Sequence, residues 1–167
     1  MTPSLSQLFR VLALLFSITN TVVYAAAFTV TPVRSTLSLD QKISSLVVSN
    51  RDSEPAIIQL EALAWSQDAD GKDVFAATKD VLATPTVFTL QPNAKQVIRV
   101  GLRRPPVDGL ESTYRLFLTQ VPPPPKPNFT GLNFNLKMSI PIFVLPKTPV
   151  DAQLNWQLDP QRTANSR

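Results

Sequence analysis

The chain contains no cysteine and no histidine in 167 residues. The first absence excludes disulfides, a thiolate nucleophile and a Cys-ligated zinc site. The second removes the commonest metal ligand and the commonest general base at neutral pH. Glycine is scarce at 4 residues, whereas proline reaches 16. That balance favours strands interrupted by stiff turns over long helices. The net charge is a mild +4. Its basic residues are scattered and no nucleic-acid motif stands out, so no nucleic-acid partner is expected. Aspartates and glutamates occur singly, on turns or strand faces, without a catalytic constellation. The residues therefore point to a binding protein without cofactor or metal rather than to an enzyme.

The first residues read as an address. Arg10 is the only charge among residues 1–27, and the apolar run Val11–Phe16 follows it. Ala25-Ala26-Ala27 then supplies small residues of the A-x-A kind. This is the order of a secretory signal peptide, cleaved before Phe28. An uncleaved membrane anchor is the alternative, but the apolar stretch is short and Ser17 and Asn20 interrupt it. Residues 1–27 are thus expected to be a leader and the rest to be exported. Without a covalent staple, an exported domain must rely on its apolar core.

Most of the chain after Phe28 alternates as strands do. Phe28–Val33 is rich in β-branched residues, and Pro32 makes it an edge strand or a strand with a switch point. Ile43–Val48 is a second strand. Ala56–Trp65 is a third, with Ile58, Leu60, Ala62 and Ala64 on one face. Asp68-Ala-Asp-Gly71-Lys reads as a hairpin turn, with Gly71 supplying a positive φ. The rest of a calcium-loop ligand pattern is missing there. Pro85–Leu90 precedes a Gln91–Ala94 turn. Gln96–Leu102 and Thr113–Val121 are further strands, before the proline run Pro122–Pro127. About seven short strands with frequent turn signals predict a β-sandwich.

Leu132–Leu145 carries the most information. Leu132, Phe134, Leu136, Met138 and Ile140 alternate with Asn133, Asn135, Lys137 and Ser139. The apolar row lies on one face of a strand. Two readings are open. The row covers the domain's own core, or it lends a strand to an incomplete partner.

The exported part resembles the N-terminal domain of PapD-like periplasmic pilus assembly chaperones. The resemblance rests on Thr31-Pro-Val-Arg34, Val47-Val-Ser-Asn50, Ala62-Leu-Ala-Trp65, Ala83-Thr-Pro85, Leu90-Gln-Pro92, Tyr114–Pro123 and Ile140-Pro-Ile-Phe-Val-Leu-Pro146, in that order. It implies an all-β, immunoglobulin-like β-sandwich of about seven strands over residues 28–147. It also implies a function: binding exported pilus subunits in the periplasm by donor-strand complementation, in which alternate apolar side chains plug a subunit's open core. The donor residues would be Leu132, Phe134, Leu136, Met138 and Ile140. Pilus subunits are the implied partners, with an outer-membrane usher as a second. Self-association would cover a bare apolar row. An immunoglobulin-like structural or adhesive surface module is the alternative function.

In the family, two basic residues in an interdomain cleft hold the subunit's terminal carboxylate. Arg34 matches the first, and its guanidinium fork suits a carboxylate. A solvated surface arginine is its other reading. The second position, a lysine in the family, is Pro141, which brings no charge and removes a ladder donor. Lys137 and Arg99 are the possible substitutes. Leu145 also stands where a basic residue is usual. Residues 148–167 are expected to be a linker and the opening strand of a second domain, with Leu154, Trp156 and Leu158 alternating. With no sheet to join, that segment is expected to fray, and a lone domain to bind subunits weakly.

Overall fold

The computed structural model describes residues 28–122, 135–148 and 156. The expected leader, Leu132, Phe134, Leu154 and Leu158 lie outside the described residues. Trp156 is 86% exposed.

Among the described residues, ten strands form two sheets: β1 (Phe28–Thr31), β2 (Ser35–Leu37), β3 (Ile43–Asn50), β4 (Ala56–Gln67), β5 (Asp73–Ala77), β6 (Val81–Thr84), β7 (Val87–Leu90), β8 (Lys95–Leu102), β9 (Ser112–Val121) and β10 (Lys137–Val144). One sheet has the order β1-β3-β8-β6. The other runs β2-β10-β9-β4-β5, with β7 also paired to β4. The two layers enclose one core, giving the all-β sandwich expected.

The strand number exceeds the expected seven for two physical reasons. The first run splits at Pro32, so that β1 joins one sheet beside β3 and β2 joins the other beside β10. Pro32 is thus a switch point, and both pieces are edges. The strands β5 and β6 are the other additions. All of β5 is exposed, and β6 has four residues, so neither shows a long apolar alternation.

The longer strands follow their alternation. Ile58 and Leu60 of β4 are buried, and Ala62 and Ala64 pack against the core, as the pattern predicts. In β8, Ile98 and Val100 are fully buried while Arg99 faces solvent. Burying each such side chain contributes roughly 1.5–3 kcal/mol. Asn50, only 2% exposed, is held by its donated bonds to the Glu54 and Leu90 carbonyls, 2.8 and 3.1 Å. Its Oδ1 accepts the Asp52 N–H at 2.9 Å, so this buried amide is satisfied and ties β3 to the end of β7.

The Asp68–Lys72 hairpin turn forms as expected, with Gly71 at φ 78°. The Asp68 carboxylate accepts the N–H groups of Asp70 and Lys72, each at 2.9 Å. Its Oδ1 therefore serves the turn. Among the described residues, no cluster of three or more Asp, Glu, His or Cys is placed to hold a metal ion.

Candidate functional site

The last strand differs in its two halves. Along one side β10 pairs antiparallel with β9, from Lys137↔Thr119 to Val144↔Ser112. Along the other, β2 pairs with it in parallel, but only from Ile142↔Ser35 to Val144↔Leu37. Lys137 to Pro141 therefore has one unpaired edge among the described residues.

The Gln120 N–H donates to the Leu136 carbonyl at 2.9 Å, and these residues are directly opposite in the β9–β10 register. Leu136 is thus in a hydrogen-bonded pair, as are Met138, Ile140, Ile142 and Val144 at every second position. The backbone groups of Lys137, Ser139, Pro141 and Phe143 point the other way. Leu145 agrees: its N–H donates to the Leu37 carbonyl of β2, 2.9 Å. Pro141 accordingly costs β9 nothing. The ladder donor it removes belongs to the outer edge, and β2 pairing stops one position away, at Ser35↔Ile142.

The apolar row also divides. Ile140, Ile142 and Val144 are buried in the domain's own core, whereas Leu136 and Met138 are half-buried at its margin. Of the expected donor residues that are described, Ile140 serves the core, and Leu136 and Met138 extend it beside the unpaired edge.

Opposite parity places the other side chains on the outer face of the six-stranded sheet. The Arg34 guanidinium lies over Phe143, 4.4 Å from the ring centroid. Arg115 is directly opposite Pro141 on β9, and its guanidinium sits 4.0 Å over Trp65. The Lys137 ammonium rests 4.5 Å over Phe117, which meets Phe75 edge-on at 5.2 Å. The indole N–H of Trp65 donates to Asp73 at 2.9 Å. That bond, followed by one from Gln67, lowers the Asp73 pKa and fixes the ring beneath Arg115. The Arg115 Nε is buried without a hydrogen-bond partner among the described residues.

This geometry separates the candidate cations. Arg34 lies beside Pro141 over Phe143, whereas Arg115, opposite Pro141 on β9, turns its guanidinium away to Trp65 of β4. Lys137 lies four residues along the strand, about 13 Å away at the ordinary rise. Arg99 projects from β8 in the other sheet, across the core. The sequence reading missed Arg115, because one arginine in an alternating strand looks like any solvated position. Its signal was parity: Arg115 and Phe117 share a face, and that face meets Pro141 and Ser139.

A family model described as "Pili and flagellar-assembly chaperone, PapD N-terminal domain" matches residues 27–149. The chain belongs to this family. No curated protein matches significantly. Among solved structures, this PapD-type domain is similar to the CsuC–CsuE chaperone–tip adhesion subunit pre-assembly complex of archaic chaperone-usher Csu pili of Acinetobacter baumannii. That match has TM-score 0.63 and 24% identity over 73% of this chain and 53% of the other. The class 5 fimbriae chaperone CfaA matches at TM-score 0.61 and 19% identity, covering 72% and 57%. The SafB chaperone, solved in complex with the SafA pilin of Salmonella enterica, matches at TM-score 0.54 and 20% identity, covering 74% and 56%. These likenesses concern the fold. The chain spans a little over half the length of these relatives.

Proposed function

We propose that the chain works in the periplasm as a chaperone that lends β10 to exported pilus subunits, by donor-strand complementation. The observation that carries this reading is the half-paired last strand. Lys137 and Ser139 direct backbone donors and acceptors outward, while Leu136 and Met138 continue the core past its own covering. An incoming strand would gain main-chain bonds on that edge and set its apolar residues beside this row. Leu132 and Phe134 extend the row in this reading. Residues 1–27 act as the export leader, and an outer-membrane usher is a further partner.

Electrostatics selects the strand direction. A strand parallel to β10 ends beside Pro141, with Arg34 near its terminal carboxylate. An antiparallel strand would bring its amino group to the same cation. Charge complementarity favours the first. The slot is also closed end-on, because β2 takes the edge from Ser35 onward. A chain terminus therefore fits where a continuing segment would collide. Arg34 keeps the anchoring role.

The test is co-expression of the chain with pilus subunits of its own genome, comparing wild type with Leu136→Asp. The wild type is expected to retain a subunit through purification and the variant to lose it while remaining folded. Equal retention by both would remove β10 from the interface.

A further inference from the structure

Pro141 is placed where three things meet: the last residue pair of β2 on β10, the near end of the unpaired edge, and the Arg34 guanidinium over Phe143. A parallel ladder along this edge takes one N–H from every second residue of β10. Phe143 has an outward N–H beside β2, and Ser139 and Lys137 have outward N–H groups beside the slot. Between them, the position that would serve the last carbonyl of an incoming strand has none, because it is proline.

We infer that Pro141 withholds the final backbone hydrogen bond from the incoming strand, so that its terminal carboxylate is held by the Arg34 side chain instead of the ladder. This deepens the donor-strand reading above and rests on it. The partner class it specifies is an extended segment ending in a free carboxylate opposite Pro141. With a backbone donor present, a carboxylate oxygen would be shared between the ladder and the cation. With proline, the Arg34 guanidinium is the donor left there among the described residues. Arg34 is suited to this task, since its guanidinium is exposed over Phe143 of β10 and its fork can offer a carboxylate two parallel bonds. The edge thus reads the end of a chain through charge, at a point where most strands would use the backbone.

The experiment is a double-mutant cycle on the affinity of the chain for the subunit it retains in co-expression. Arg34→Gln is measured in the wild-type background and in Pro141→Ala, which supplies an outward N–H. One net hydrogen bond of about 1 kcal/mol corresponds to roughly fivefold in affinity. The loss caused by Arg34→Gln is expected to be about fivefold smaller with alanine at 141. Equal losses in the two backgrounds, with binding intact, overturn the role of Pro141 and leave the donor-strand reading standing. Absence of any bound subunit on the wild-type chain overturns both. Ser139→Pro gives an independent check. It removes an outward N–H, so it should weaken binding about fivefold while the domain stays folded. Undiminished binding by that variant overturns the hydrogen-bond phase on which the inference stands. Met138→Pro, one residue away, should unfold the domain, because that N–H serves β9.

Discussion

Along β10, Ile142–Val144 runs between β9 and β2, whereas Lys137–Pro141 has β9 alone among the described residues. Both stretches obey the same alternation. In the first, the inward side chains are at most 1% exposed. In the second, they grade from the buried Ile140 to the half-buried Met138 and Leu136. The difference lies outside the strand, in whether a second neighbour closes the edge. An apolar row therefore reports which face is dry and leaves open whose core it dries.

Truncating one side chain in each half should separate their contributions to stability. Ile142→Ala removes a fully buried side chain and should cost about 2–5 kcal/mol in urea unfolding. Leu136→Ala should cost about 1 kcal/mol or less, because that site is already half open. Equal losses would mean that the two halves contribute alike to the free domain.

A smaller effect is expected at Tyr114, which pairs with Ile142 and donates to Asp80 at 3.3 Å. Burial of the phenol, and then the Asp80 charge, raise its pKa. A raised pKa favours the protonated form in the folded state. Its contribution is complete below the ordinary tyrosine value of about 10 and is lost as pH rises through the folded-state value. Thermal unfolding should therefore become easier at strongly alkaline pH, and Tyr114→Phe should blunt that dependence. An unchanged pH profile in the variant would show that the closed half is not sensed through this hydroxyl.

Arg34→Gln should have the smallest effect on stability. The side chain is exposed, and its stacking on Phe143 contributes about 0.5–1 kcal/mol at such sites. A calorimetric loss well above that would make Arg34 part of the framework rather than a surface kept for a partner.

Much of the fold was legible from alternation and turn residues. Ile58 and Leu60, Ile98 and Val100, and Leu116 and Leu118 declare their faces by period alone. The exposed β5 and the short β6 did not, since their positions depend on the neighbours they border. For the site, Arg34 and the apolar row were visible, but their relation to Pro141 was not. That relation depends on register, which is fixed by pairing across residues far apart in the chain. Register is also what separates Arg99 from the outer face and brings Arg115 to it.

The turn at Pro32 has a consequence for how the domain comes apart. One short segment supplies an edge to each layer, so β1 and β2 cannot leave independently without pulling on the same few residues. Local opening of one margin loads the other, and the two sheets gain a shared threshold for release. Amide exchange along Thr29–Val30 and Thr36–Leu37 should then rise together under mild denaturant, as one cooperative unit that spans both layers.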